Sequence, residues 1–151
     1  MELRGVLGPV VTPFQSALGD VNINAFTHNV RAHMTAGLHG VVVAGSTGEA
    51  ALLDDVERIR LVEAARREVP SDRLLLAGVG VESTRATVRL AQQAAAAGAD
   101  AVLVVSPHYY TSAMTARALL DHFHRVADES PVPVVLYNIP KYVGFTIAPT
   151  L

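Results

Sequence analysis

Residues 40–49 read Gly-Val-Val-Val-Ala-Gly-Ser-Thr-Gly-Glu, an apolar run followed at once by a glycine-rich turn. Three consecutive β-branched valines favour a strand, and a strand that is apolar on both faces is typical of a parallel sheet covered on both sides. The glycines allow a tight change of direction directly after it. The stretch therefore predicts a βα unit whose turn lies at the carboxyl end of a parallel strand.

The same arrangement recurs, with predicted strand starts 27–34 residues apart, which is the length of a strand plus a crossover helix. The predicted strands are Val6–Val11, Gly40–Ala44, Leu74–Gly78, Ala101–Val105 and Val132–Tyr137. The segments between them each have one apolar stripe and are predicted helices: Asn24–Ala36, Asp54–Val69, Ser83–Ala97 and Thr115–Asp128. Because such crossovers are right-handed, successive strands should be parallel neighbours in an α/β fold.

Helix-end signals agree with these bounds. Asp54 with Glu57 three residues later predicts a capping box. Gly37 and Gly98 stand where a left-handed residue commonly ends a helix. Ala148-Pro149-Thr150-Leu151 predicts the start of a fifth helix, with Pro near its first position.

The length of the chain bears on the architecture, because a (β/α)8 barrel takes about 250 residues. The 151 residues supply five strands and four helices. An open sheet and a barrel both fit this order. On the barrel alternative, which the length favours, residues 1–151 are expected to form slightly over half of the structure: the N-terminal portion of a single (β/α)8 TIM barrel domain, truncated before the sixth strand.

Composition narrows the function classes. Half the residues are apolar and 17% are charged, which is typical of a chain with a large interior. The net charge of −2 comes from 12 basic and 14 acidic residues spread along the chain, so neither nucleic acid nor an anionic membrane is an expected partner. There are no cysteines. Without an apolar run of about 18 residues or a signal peptide, we expect a cytoplasmic protein.

Chemistry is expected after the strands, because ligands of parallel α/β folds bind at the carboxyl ends of the strands. After the second strand, Gly45 and Gly48 bracket two hydroxyl residues. Such a turn can aim consecutive N–H groups, with the hydroxyls of Ser46 and Thr47, at one small carboxylate. A tight βα turn without a ligand would use the same residues.

Tyrosines follow two other strands. Tyr137 ends the fifth strand, where its phenol could relay a proton if it is hydrogen-bonded to a hydroxyl such as that of Thr47. Tyr109 and Tyr110 follow a proline in a loop, where exposed aromatic rings commonly pack on a partner or cover a pocket. Structural packing is the alternative interpretation for all three rings.

Two other interpretations are weaker. Residues 78–83, Gly-Val-Gly-Val-Glu-Ser, resemble a dinucleotide-binding turn. The acidic residue that would bind the ribose is absent from the end of the next strand, where Ser106 and Pro107 stand. The six histidines are spaced so that neighbouring pairs, such as His122 and His124, face different ways on a helix, which does not favour a metal site.

Four motifs together resemble the dihydrodipicolinate synthase and N-acetylneuraminate lyase family of pyruvate-dependent class I aldolases. They are Gly8–Phe14, Gly45–Glu49, Ser106–Tyr110 and Tyr137–Pro140, and both their order and their spacing match. The likeness runs from near residue 4 to the end of the chain.

This resemblance implies a (β/α)8 barrel in which a lysine on the sixth strand forms a Schiff base with pyruvate or another 2-keto acid. It implies no metal and no organic cofactor. It also implies that Ser46 and Thr47 bind the keto-acid carboxylate and that the Tyr137 phenol relays protons. Thr47 would link Tyr137 toward Tyr109. Tyr109 often reaches across a tight dimer interface in this family, so a homo-oligomer is expected.

The sequence departs from the family's pattern in two respects. Its only lysine is Lys141, in the loop after Tyr137, whereas the family's lysine lies on the following strand, so this chain alone is expected to be inactive. Synthases that use aspartate semialdehyde usually carry an arginine where Tyr142 stands. Without that guanidinium a second substrate carboxylate loses its bidentate partner, which favours another 2-keto-acid aldolase or lyase. A non-catalytic half-barrel that associates with another half-barrel is the alternative.

Overall fold

The computed structural model describes residues 3–16 and 19–148. Within these ranges the strands are β1 (Leu7–Pro9), β2 (Gly40–Val43), β3 (Leu74–Gly78), β4 (Ala101–Val105) and β5 (Val134–Tyr137). The helices are α1 (Ile23–Thr35), α2 (Asp55–Glu68), α3 (Thr84–Ala96), α4 (Ala116–Glu129) and α5 (Pro140–Val143), with 3₁₀ turns at Ala50–Leu52 and Thr111–Ala113. None of the helices found in these ranges is long and apolar enough to cross a membrane.

The five strands form one parallel sheet whose spatial order is the chain order, as predicted. One face lies under the helices, and residues there, such as Val41, Leu75 and Val102, are completely buried. The other face is only partly covered, and its residues, such as Leu103 and Tyr137, are half-buried. Leu76 and Ala101 on this second face are buried as well, so the expectation of strands buried on both faces is met fully on the helix side and in part on the other within the described residues.

The predicted helix ends are confirmed by their hydrogen bonds. The Asp54 carboxylate accepts from the Glu57 N–H at 2.8 Å, and the Glu57 carboxylate accepts from the Asp54 N–H at 3.0 Å, which completes a capping box. Gly37 and Gly98 follow α1 and α3 in left-handed backbone, with φ of 80° and 99°. These caps fix where each helix meets the sheet.

Three predicted elements differ from the structure. β1 and β5 are shorter than expected, because Val11 lies past the last paired residue of β1 and Pro133 precedes β5. The segment after β5, predicted as a loop, forms α5, which starts at Pro140 and ends at Gly144 with φ of 79°. Residues 149–151, where a fifth barrel helix was predicted to start, lie outside the described residues.

Candidate active site

A cavity of about 600 Å³ lies at the carboxyl ends of β2 to β5. Its wall is built mainly from residues that directly follow these strands: Gly45 and Ser46, Gly80 and Glu82, His108, and Tyr137 with Ile139. This is the edge of the sheet where parallel α/β folds bind their ligands. The topology thus gathers four separate loops around one space.

The loop after β2 has an unusual backbone at both of its ends. Ala44 and Glu49, at its two ends, have positive φ of 51° and 54° and are the non-glycine residues with this conformation in the described chain. Such backbone costs about 1–3 kcal/mol per residue and is concentrated at functional sites. Within the described residues the N–H groups of Ser46, Thr47 and Gly48 have no hydrogen-bond acceptor. Three consecutive donors are therefore available to a ligand.

The loop after β2 is bound to the segment that follows β1. The buried Thr12 hydroxyl donates to the Gly48 carbonyl at 2.6 Å. A Cβ on Gly48 would lie 2.9 Å from the Val10 carbonyl oxygen, so only glycine fits without a shift. The second glycine of the motif is thus required by a close backbone approach.

The structure brings some of the predicted site residues together and leaves others apart. Ser46 and Tyr137 line the same cavity, whereas Thr47 and Tyr109 are not among its lining residues. No hydrogen bond in the described part of the chain joins Thr47 to Tyr137 or to Tyr109. The hydroxyl relay inferred from the resemblance therefore stays a prediction.

Tyr109 lies on the rim of this region rather than inside it. Its side chain is 77% exposed, and its ring meets the Tyr110 ring edge to face at 4.9 Å between centroids. Two adjacent exposed aromatic rings are suited to contact with a partner. A role across a subunit interface stays a prediction.

Glu82 connects the loop after β3 with the loop after β4. Its carboxylate accepts hydrogen bonds from the backbone N–H groups of His108 and Tyr109, with distances of 3.0–3.2 Å. The His108 ring also approaches it, with Nδ1 3.2 Å from Glu82 Oε1. Glu82 belongs to the stretch 78–83 that resembles a dinucleotide-binding turn, and nothing in the sequence pattern predicts this role for it.

Arg58 on α2 also lines the cavity and was missed. Its guanidinium donates to the Ala50 carbonyl at 2.6 Å, and the residue is only 8% exposed. Burial lowers the pKa of this guanidinium, an effect that the Asp55 carboxylate opposes. The sequence contained a signal for this role, because Arg58 lies on the same buried stripe of α2 as Leu61 and Val62. A charged residue at an apolar position of a helix commonly has a specific partner.

Packing explains the glycines of the dinucleotide-like motif. A Cβ on Gly78 would lie 1.9 Å from the Ala44 carbonyl oxygen, and one on Gly80 would lie 2.5 Å from the Val105 nitrogen. Both glycines are therefore required by neighbouring strands, whatever the ligand. The motif does not favour a nucleotide over a simple close approach of backbones.

The histidines do not assemble into a metal site in the residues that the structure describes, where no three potential ligand side chains converge. His122 instead lies buried between α3 and α4, with Nδ1 2.9 Å from the Thr84 hydroxyl. Burial lowers the pKa of His122, and the Glu82 charge partly opposes this shift. Its role here is in packing.

Comparison with known proteins agrees with this geometry. The family model described as "Dihydrodipicolinate synthetase family" matches residues 2–151. The chain belongs to the dihydrodipicolinate synthetase family. It is 40% identical over 149 residues to the 4-hydroxy-tetrahydrodipicolinate synthase of Xanthomonas campestris, covering 99% of this chain and 48% of that protein. A protein of Emericella nidulans named "Probable 4-hydroxy-2-oxoglutarate aldolase, mitochondrial" is 42% identical over 140 residues, covering 90% and 45%.

Solved structures of the dihydrodipicolinate synthetase family have the same fold. YagE, a prophage protein of E. coli K12 in complex with pyruvate, superposes with a TM-score of 0.90 at 32% identity, covering 98% of this chain and 49% of that one. A dihydrodipicolinate synthase of Acinetobacter baumannii complexed with pyruvate gives 0.90 at 30% identity, covering 97% and 50%. The sheet thus corresponds to about half of a TIM barrel, and the chain spans about half the length of the relatives it matches.

Proposed function

We propose that the complete protein is an enzyme that forms a Schiff base with a 2-keto acid of the pyruvate type and makes or breaks a carbon–carbon bond beside it. The observation that carries this proposal is that the N–H groups of Ser46, Thr47 and Gly48 have no acceptor among the described residues. Their loop borders the cavity that Ser46 and Tyr137 line. Carboxylate binding beside an acid–base group is what the reaction requires. The pyruvate bound by two related structures supports the substrate class.

In this proposal each residue of the loops has one task. The N–H groups of Ser46 and Thr47, with their hydroxyls, hold the keto-acid carboxylate and so present the carbonyl carbon to an amine. The imine then serves as an electron sink, and the Tyr137 phenol moves a proton to or from the reacting centre, with Thr47 and Tyr109 completing the relay. No metal or organic cofactor takes part.

The amine is proposed to come from a lysine outside these 151 residues. Lys141 is the only lysine in the sequence. It is exposed on α5, its Nζ lies 5.3 Å from the centroid of the Tyr142 ring, and it is not among the residues that line the cavity. A nucleophilic amine needs to lie within reach of the bound carbonyl and to be desolvated. The exposure of Lys141 and its position outside the cavity wall support a different lysine.

The complete protein is proposed to lack the subsite with which the synthases bind a second substrate carboxylate. Tyr142 lines the cavity at the position where the family resemblance leads one to expect an arginine. A phenol cannot offer the bidentate charged contact of a guanidinium. We therefore favour an aldolase or lyase acting on another 2-keto acid, the class to which the name of the Emericella nidulans relative points.

Borohydride trapping tests this proposal. With pyruvate and borohydride, the complete protein should gain the mass of one reduced pyruvyl group per subunit, and its Lys141→Ala variant should gain the same mass. The 151-residue chain should stay unlabelled. Labelling of Lys141, or no labelling of the complete protein, would contradict the Schiff-base assignment.

A second candidate, the non-catalytic half-barrel, is favoured by the exposed apolar residues of the two edge strands. Val6 and Val11 beside β1 are 61% and 48% exposed, and Leu136 on β5 is 49% exposed. Exposed apolar sheet edges promote association with another copy or with another half-barrel. Light scattering of the 151-residue chain decides this candidate, since a monodisperse monomer contradicts it.

A further inference from the structure

Glu82 stands between β3 and α3, and its carboxylate is the common acceptor for the loop that follows β4. Its Oε2 accepts from the backbone N–H of His108 and from that of Tyr109, each at 3.0 Å, and its Oε1 lies 3.2 Å from the His108 nitrogen. Two consecutive amides of one loop thus converge on a single carboxylate of another. Hydrogen bonds to an ionised acceptor are roughly twice as strong as neutral ones.

The His108 ring lies beside this arrangement, and its hydrogen bond is to its own loop. Its Nδ1 lies 3.2 Å from Glu82 Oε1 and 3.1 Å from the Ser106 carbonyl oxygen. A carboxylate and a carbonyl are both acceptors, so Nδ1 must carry the hydrogen. The ring therefore binds within its own loop and leaves the Glu82 carboxylate to the two backbone N–H groups.

Little else in the described chain fixes Tyr109. Its ring is 77% exposed, and its phenol has no hydrogen bond among the described residues. On the far side of the loop the Thr111 hydroxyl donates to the His108 carbonyl at 2.6 Å. Glu82 is the side chain from outside this loop that binds its backbone at Tyr109, so the position of the phenol depends on it.

We propose that Glu82 is a positioning residue, which holds the backbone of Tyr109 so that its phenol reaches the reacting centre in the complete protein. The inference rests on the proposed function, because it assumes that Tyr109 takes part in proton transfer. It adds a carboxylate that the sequence did not identify as functional. Glu82 also lines the cavity, and in this proposal it acts through Tyr109.

The test uses exchange of the C3 protons of pyruvate with solvent deuterium, followed by NMR on the complete protein. Once the imine has formed, a C3 proton leaves to give the enamine, and a deuteron returns to C3, so the rate reports proton transfer without an identified second substrate. Glu82→Ala should lower the kcat of exchange by about 10- to 100-fold, since a misplacement of 1 Å can cost 10²-fold. The KM for pyruvate should stay within about twofold.

Two further variants separate positioning from a general structural defect. Glu82→Gln keeps one acceptor oxygen, so its loss should be smaller than that of Glu82→Ala. In the Tyr109→Phe background, Glu82→Ala should cause less than about a twofold further loss, because both changes remove the same contribution. Glu63→Gln, which removes an exposed carboxylate of α2 away from the cavity, serves as the charge-matched control.

Several outcomes would overturn the proposal: a kcat within about twofold for both Glu82 variants, a loss confined to KM, or losses that multiply with that of Tyr109→Phe. Should Glu82→Ala fail to fold, Glu82→Gln decides by the same criteria. Amide hydrogen exchange of residues 106–114, followed by mass spectrometry, measures how firmly Glu82 holds the loop after β4, and it needs no enzymatic reaction. It should speed up in both Glu82 variants and stay unchanged in Glu63→Gln.

Failure of the proposed function is distinguishable from failure of this inference. If pyruvate and borohydride do not label the wild-type complete protein, the proposed function is wrong whatever Glu82 does. If the wild type is labelled and exchanges deuterium while the Glu82 variants match it, only the positioning role is wrong.

Discussion

Replacing Thr12 with Val removes one hydroxyl from beneath the proposed carboxylate-binding loop and keeps the branched shape of the side chain. Thr12 is 3% exposed, and its hydroxyl is the donor to the Gly48 carbonyl at 2.6 Å. In the variant the Gly48 carbonyl loses this buried hydrogen bond. An unsatisfied buried polar group costs about 1–3 kcal/mol, so the complete protein should lose stability by about that amount.

Thr12→Val should also weaken binding of the keto-acid carboxylate. Gly48 is the last of three consecutive residues whose N–H groups have no acceptor in the described part of the chain, so a shift of its carbonyl disturbs these donors. Binding of the keto-acid carboxylate is needed equally in the ground state and in the transition state. The KM for pyruvate in the deuterium-exchange assay should therefore rise, while kcat changes much less.

Thermal unfolding of the complete protein measures the first effect, because each kcal/mol lowers the Tm of a protein of this size class by roughly 2–4 °C. Thr27→Val is the matched control, since it removes a hydroxyl whose 3.0 Å bond to the Asn24 carbonyl is solvent-exposed. The control should change stability by less than about 0.5 kcal/mol. If Thr12→Val is as stable as Thr27→Val and binds pyruvate normally, the hydrogen bond from Thr12 to the Gly48 carbonyl does not determine the conformation of the loop.

Three further predictions concern the cavity and the core. Tyr137→Phe should lower the kcat of pyruvate exchange by about 10²–10⁴-fold, or roughly 3–5 kcal/mol of barrier, with little change in KM; a kcat within about twofold would make Tyr137 a packing residue. Gly78→Ala should destabilise the complete protein by about 1–3 kcal/mol or more, because its Cβ would lie 1.9 Å from the Ala44 carbonyl oxygen. Gly45→Ala is the comparison for stability, since that Cβ meets its nearest atom at 3.5 Å; equal Tm values for the two variants would refute the close-approach argument. Burial lowers the pKa of His122 in the folded state, so the unfolded chain binds a proton more readily and the Tm should fall as the pH drops below about 6.5. His122→Gln should flatten that part of the Tm profile between pH 7 and pH 5, and an unchanged profile would show that other groups cause it.

The architecture could be predicted because its local signals agree with one another. The run at Gly40–Val43 is apolar throughout, the capping box at Asp54 fixes the start of α2, and Gly98 fixes the end of α3. Each signal depends on residues a few positions apart, and such signals can be recognised in a sequence. The short helix α5 was missed because four residues give no periodicity, although Pro140 and Gly144 at its ends were visible.

The site could be predicted only in outline. The sequence indicates which loops meet, because every loop after a parallel strand lies at the same edge of the sheet. It does not show that Glu82 binds the backbone 26 residues later at His108, or that Arg58 turns its guanidinium to the Ala50 carbonyl. Such contacts depend on side-chain directions across elements and leave no periodic pattern in the chain.

The order of the sheet has a consequence for how the polypeptide acquires its structure. Within the described residues each strand pairs with its neighbours in the sequence, so each step in the assembly of this sheet closes a loop of one βα unit. The entropy of loop closure grows slowly with length, and units of this size are closed at similar cost one after another. Synthesis on the ribosome, which proceeds from the N-terminus, delivers the units in the order in which they pair. At every stage β1 on one side and the most recently completed strand on the other have unpaired hydrogen-bonding edges, so the nascent chain is vulnerable to wrong partners at both sides of the growing sheet.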